Sequence, residues 1–148
     1  MELSPLSPEA FARLAGTAFH ARQVGEADAF LIALDQDAAY DNPNFRWMRS
    51  RFDRFVYVDR VVVAAHARGR GLARTLYEDL FDAARAAGQA RIVCEVNSAP
   101  PNPASDAFHA RLGFTEVGEA VLPGGAKTVR YLSLDLQPSE PAPPNASA

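Results

Sequence analysis

The 148-residue chain holds a single cysteine, Cys94, a single lysine, Lys127, and no long apolar run. A lone cysteine excludes an internal disulfide framework and a multi-cysteine zinc site. No apolar stretch approaches the ~20 residues that cross a bilayer, so no membrane-spanning protein is expected. The opening residues, MELSPLSPEAFARLAG, have neither a basic start nor an apolar centre. They predict no secretory signal, and a reducing, cytoplasmic setting fits. Acidic residues outnumber basic ones by 18 to 15, for a net charge of −3, which argues against a general nucleic-acid binder.

What is present suits one globular domain. The last stretch, QPSEPAPPNASA (137–148), has four prolines and no large apolar side chain. It cannot bury enough surface to offset its ordering entropy and reads as a disordered tail behind a single domain at 1–136. Ser7, Pro8 and Glu9 signal a first helix that Gly16 can end. Segments 18–24 and 27–34 read as a β-hairpin. Residues 35–53 mix acidic and aromatic side chains with little regular pattern; a short helix around 45–51 is expected there. Segment 55–65 (FVYVDRVVVAA) is β-branched and reads as a central strand. Leu72, Leu76, Leu80, Ala83 and Ala87 recur at helical spacing, and Gly88 stops that helix. Segment 91–97 alternates, with Ile92, Cys94 and Val96 on one face and Val93, Glu95 and Asn97 on the other. A proline-rich loop at 98–103, a short helix at 105–112 and strands at 114–117 and 128–136 complete the order. The strand–helix–strand unit implies a parallel crossover and the hairpins imply antiparallel edges. The fold class is therefore α/β (α+β): a mixed sheet with helices on both faces.

The most informative segment is Val61-Val62-Val63-Ala64-Ala65-His66-Ala67-Arg68-Gly69-Arg70-Gly71-Leu72-Ala73-Arg74. A strand ends, and a glycine-rich turn opens a long helix. The first amides of a helix lack intrahelical partners and sit at its positive end, so a diphosphate can bind there. Arg68, Arg70 and Arg74 add positive charge, although Arg74 also suits a solvated helix face. Neither the nucleotide-binding lysine loop nor the dinucleotide G-x-G-x-x-G pattern fits, because Arg74 stands where a third glycine belongs. Alone, Gly69 and Gly71 could merely shape the connection.

Arg68-x-x-Gly71-x-Ala73 is similar to the [Q/R]-x-x-G-x-[G/A] signature of the GNAT N-acetyltransferases, which bind acyl-coenzyme A. A second signature, roughly N-x-x-A-x-x-L-Y-x-x-x-G-F, aligns with Asn102, Ser105, Phe108, His109, Gly113 and Phe114. The resemblance spans about residues 3–136. It implies a mostly antiparallel central sheet with one parallel, splayed strand pair. It implies that the amides of Arg68, Gly69, Arg70, Gly71, Leu72 and Ala73 hold the coenzyme A pyrophosphate. The pantetheine arm then pairs with backbone around Val61, Val62 and Val63, flanked by Asn102, Ser105 and Phe108.

The activity implied is acetyl transfer from acetyl-CoA to a primary amine, of a small molecule or a peptide, by direct attack on the thioester. The amine must lose a proton, and the leaving thiolate needs a partner. The usual thiolate partner is a tyrosine; this chain has His109 there, which either donates to the sulfur or only packs. That departure keeps open a coenzyme A-binding or sensing protein without efficient transfer. Glu95 is the first candidate base, or else the partner of an arginine. Asp59 is the second, or else pairs with Arg60 or Arg91; it is expected, with Tyr57, on the face opposite Val58 and Arg60. Tyr40, Phe45 and Trp47 either line the acceptor pocket or cover the sheet edge. Cys94 reads as buried and inert. Ser105, Asp106 and His109 lack the context of a hydrolytic triad. No metal ligand set is found, no nucleic acid or membrane partner is expected, and a homodimer is compatible with the family.

Overall fold

The computed structural model describes residues 18–25, 28–99, 102–122, 125 and 127–136. The expected first helix and the proline-rich tail lie outside them. Six strands form one sheet in the order β1-β2-β3-β4-β6-β5. They are β1 (His20–Val24), β2 (Ala29–Asp35), β3 (Val56–Val63), β4 (Arg91–Ala99), β5 (Thr115–Val121) and β6 (Thr128–Asp135). Helices α1 (Pro43–Arg51), α2 (Leu72–Ala86) and α3 (Pro103–Leu112) connect them.

The helix α1 begins where Asn42 accepts hydrogen bonds from the amides of Asn44 (2.8 Å) and Phe45 (3.1 Å), with Pro43 at the first position. It therefore starts two residues before the expected 45. Helix α2 ends at Gly88, whose φ of 78° suits glycine. Strand β4 runs on to Ala99, two residues into the expected loop, because it keeps pairing with β6: Asn97 faces Val129 and Ala99 faces Thr128. Strand β5 likewise extends to Val121, held by its ladder to β6.

The two sheet faces bury separate clusters. Helix α2 places Leu76, Tyr77, Leu80, Phe81 and Ala84 against Val56, Val58, Ile92, Cys94 and Val96, and Phe108 and Leu112 of α3 pack on the same side. Helix α1 places Phe45 and Met48 against Tyr57, Val93 and Tyr131 on the other. Each large side chain so buried contributes about 2 kcal/mol. Trp47 of α1 stacks on Tyr131 at 4.1 Å, over Gly118 of β5.

Two irregularities position the site. All strand pairs are antiparallel except β3–β4, whose ladder lasts only for Val56–Ile92 and Tyr57–Val93. Beyond Tyr57 that edge of β3 has no ladder partner among the described residues. In the β2–β3 ladder, Ala33 faces Val58 but Ile32 faces Arg60, so Asp59 is an extra, bulged residue. The bulge reverses side-chain parity. Val61 and Val63 rejoin Val56 and Val58 on the α2 face. Arg60, opposite Ile32, lands on the same face as Tyr57. The expected placement of Arg60 beside Val58 is thereby corrected: strict alternation does not survive an inserted residue. No helix among the described residues is long and apolar enough to cross a membrane.

Candidate active site

A cavity of about 420 Å³ opens where β3 and β4 separate. Its walls come from both sides of the sheet. Val58, Val61, Tyr77, Cys94, Val96 and His109 face it from the α2 side, and Asn44, Glu95 and Asn97 from the α1 side. Such a passage exists because two parallel strands stop bonding while each remains anchored by its other neighbour.

At the mouth of the β3–α2 connection, a 3-10 turn (Ala65–Ala67) leads into Arg68, Gly69, Arg70 and Gly71, all exposed. Gly69 (φ 85°) and Gly71 (φ 72°) take left-handed conformations, and a Cβ on either would meet nothing within 4 Å. Gly71 caps α2 without a side chain, so the first amides of α2, from Leu72, Ala73 and Arg74, receive no side-chain cap from it. Asp28, in the β1–β2 turn, braces this connection through His66 (2.9 Å) and Arg70 (3.3 Å). The His66 hydrogen bond is the main cause holding the Asp28 carboxyl below its usual range. Arg74 pairs with Glu78 at 3.2 Å. Among the described residues Arg68 makes no ion pair.

Two carboxylates occupy the α1 side. Glu95 accepts from the Tyr57 hydroxyl at 2.8 Å and from the Asn44 amide, whose oxygen in turn accepts from Tyr131 at 2.8 Å. Burial pushes the Glu95 carboxyl up to about 7; the Asp59 charge adds to this, and the bonds from Tyr57 and Asn44 oppose it. No arginine reaches Glu95 among the described residues. Asp59 is 4% exposed, accepts from Tyr40 at 2.5 Å and pairs with Arg60 at 3.0 Å.

His109 sits at the α2 side, 8% exposed. Its Nδ1 lies 2.8 Å from the Ser105 carbonyl oxygen, which can only accept, so that contact assigns the ring hydrogen to Nδ1. Burial lowers its pKa below the ordinary value, leaving a neutral ring near pH 7. Nε2 then accepts from the Tyr77 hydroxyl at 3.3 Å. The Asn102 side chain caps α3 by accepting from the Ser105 amide at 3.2 Å, and Phe108 packs edge-on to His109.

The structure thus brings Glu95, Asp59, Val61, Asn102, Ser105 and His109 to one cavity, with Tyr40 bonded to its rim. Phe45 is wholly buried between Tyr40, Phe55 and Tyr57, and Trp47 is stacked on Tyr131. Cys94 is buried, and desolvation raises its thiol pKa, as an inert core residue requires. Asn44, Tyr57 and Tyr77 were not marked as site residues. Only Tyr57 carried a signal, its shared strand face with the carboxylates; Asn44 reaches the site through a helix start hidden in an irregular segment.

The sequence and the fold have counterparts among known proteins. The chain matches the acetyltransferase (GNAT) family over residues 8–114. It belongs to that family. Its fold is similar to the ribosomal-protein-S18-alanine N-acetyltransferase of Escherichia coli, at 22% identity and a TM-score of 0.64, covering 95% of this chain and 82% of that one. It is also similar to the NatC complex bound to Gag peptide and CoA, at 15% identity and a TM-score of 0.65, covering 92% and 84%. The protein yncA of Salmonella typhimurium, solved with its cofactor acetyl-CoA, is 27% identical at a TM-score of 0.53, covering 78% and 61%. A comparison with curated proteins found no match. GNAT membership supports acyl transfer from acetyl-CoA in general.

Proposed function

We propose that this GNAT protein moves an acetyl group from acetyl-CoA to a primary amine, of a small molecule or a peptide, by direct attack. The observation that carries the reading is a half-buried carboxylate, Glu95, bonded to Tyr57 and pushed up to about 7, in a cavity set between diverging strands. The turn suits a pyrophosphate: the space above Gly69 and Gly71 is clear and Gly71 caps the helix without a side chain, so the amides of residues 69–73 are the ones offered to it, while the expected Arg68 amide is already donated to the Ala65 carbonyl at 3.4 Å. The unpaired edge of β3 through Val61, Val62 and Val63 offers backbone groups to the pantetheine arm. Asn102, Ser105 and Phe108 shape the far wall.

Glu95 is the base. A carboxyl with a pKa near ambient pH is ionised in time to take a proton yet basic enough to hold it. Asp59 is second, because Tyr40 and Arg60 already occupy both its oxygens. Its charge and that of Glu95 attract a cationic amine to the α1 side, where Tyr40 borders the entrance. His109 marks the thiolate end of the cavity.

Free-thiol release from acetyl-CoA against a panel of amines tests the reading. Wild-type turnover is expected, and Glu95→Gln should lower it by about 10²–10⁴-fold. It should also flatten the acid limb of the pH–rate profile. An unchanged profile removes Glu95 from the base role. The substitution of His109 for tyrosine favours one rival, a coenzyme A-binding or sensing protein. Tight coenzyme A binding without thiol release on any amine would select it.

A further inference from the structure

We propose that Tyr77 of α2 is the group that meets the leaving sulfur, with His109 acting through it. This rests on the transferase reading above. Tyr77 is 1% exposed to solvent yet lines the cavity, beside His109 and Val96. Its hydroxyl is 3.3 Å from His109 Nε2. The His109 ring hydrogen is committed to the Ser105 carbonyl through Nδ1, so Nε2 offers only a lone pair and has nothing to donate to sulfur. The hydrogen on the Nε2 side of the ring belongs to Tyr77. The other nearby hydroxyl, Ser105 Oγ, lies on the Nδ1 side at 3.3 Å.

The step balances without an added reactant. The C–S bond breaks and its electron pair goes to sulfur. The Tyr77 hydroxyl turns from Nε2 to the sulfur and donates a hydrogen bond. The amine's proton goes to Glu95, and the thiolate takes a proton from water after release. A neutral hydrogen bond is exchanged for a charge-assisted one, about twice as strong. Burial drives the Tyr77 phenol well above its usual range, so it remains a donor throughout. His109 is a positioning residue. Edge-on contacts with Phe108 and Phe114 hold its ring, and Nε2 holds the phenol at the cavity.

Tyr77→Phe removes the hydroxyl and keeps the ring among Phe81, Phe108 and Phe114. Turnover with acetyl-CoA should fall about tenfold or more, the range for one hydrogen bond to a charged group. Coenzyme A affinity, measured calorimetrically with the thiol protonated, should change by less than about threefold, since a neutral thiol loses little by the deletion. The distinguishing readout is the ionisation of bound coenzyme A, followed by thiolate absorbance. Its midpoint should rise by about one pH unit in Tyr77→Phe, the same tenfold factor. 3,5-Difluorotyrosine at position 77, a stronger donor of nearly the same shape, should shift it the opposite way and serves if Tyr77→Phe does not fold. A bound thiol that titrates alike in wild type and these variants overturns the assignment, whatever happens to turnover. So does a shift seen in Ser105→Ala and absent from Tyr77→Phe. The titration needs no acceptor. Wild type that binds coenzyme A without transferring therefore sinks the transferase reading, while the bound thiol still decides Tyr77.

Discussion

As the proposed base, Glu95 serves chemistry at the expense of stability. Its carboxyl is raised from an ordinary 4.5 to about 7, chiefly by burial. Between those values the folded chain keeps a proton that the unfolded chain has shed, so stability falls as pH rises through the window. By pH 8 the loss attributable to Glu95 reaches about 3 kcal/mol at most. Glu95→Gln should therefore raise Tm at pH 8 and leave it nearly unchanged at pH 4.5, as thermal melts would show; a lower Tm at pH 8 contradicts the burial argument. Tyr57 opposes the shift by donating to the ionised form. Tyr57→Phe should then move the acid limb of the pH–rate profile upward, and a downward move would show that the bond favours the protonated form. The strand face that Glu95 occupies was legible in the sequence, because Glu95 shares it with Val93 and Asn97 and alternates with Cys94 and Val96. Its partner Asn44 was not, since a contact between a helix start and a strand 51 positions away leaves no local pattern.

At the scale of elements, α1 depends on a glycine it does not contain. A Cβ at Gly118 would stand 2.5 Å from Trp47 Cζ2, and Trp47 is already wedged against Tyr131. Gly118→Ala should cost about 1–3 kcal/mol through overpacking. It should also displace α1, and with it Asn44, so chemical denaturation and the Glu95 titration should change together. A change in denaturation alone would show that α1 does not transmit the strain. The long helix α2 and strands β3 and β4 were readable because one-sided burial imposes a periodic pattern. The bulge at Asp59 was not: register is set by the partner strand, and 55–65 read as unbroken alternation puts Arg60 on the wrong face. Strand β5 was underestimated because it is mostly exposed and takes its order from β6.

For the whole molecule, the proposed cofactor site joins the free edge of β3, the β3–α2 turn and α3. A ligand touching all three should stabilise the fold as a unit. Coenzyme A at about 100 times its Kd should add about 2.7 kcal/mol, visible as a Tm rise, and no rise at millimolar ligand would mean the glycine turn is empty. Family and sheet architecture were legible from two short signatures, because a phosphate-binding turn and a glycine-ended helix constrain residue type tightly. The acceptor is harder to read, since the pocket proposed for it is walled by α1 and by connections whose residues answer mainly to packing.

The cavity takes its walls from both faces of the sheet. In the proposed reaction donor and amine use separate doors, and neither must depart before the other enters. Cys94, the one thiol, borders the cavity, but burial pushes its pKa up, so it offers no ready thiolate for a covalent intermediate. Initial-velocity lines for the two substrates should intersect, the mark of a ternary complex; parallel lines would mean that the two doors are one.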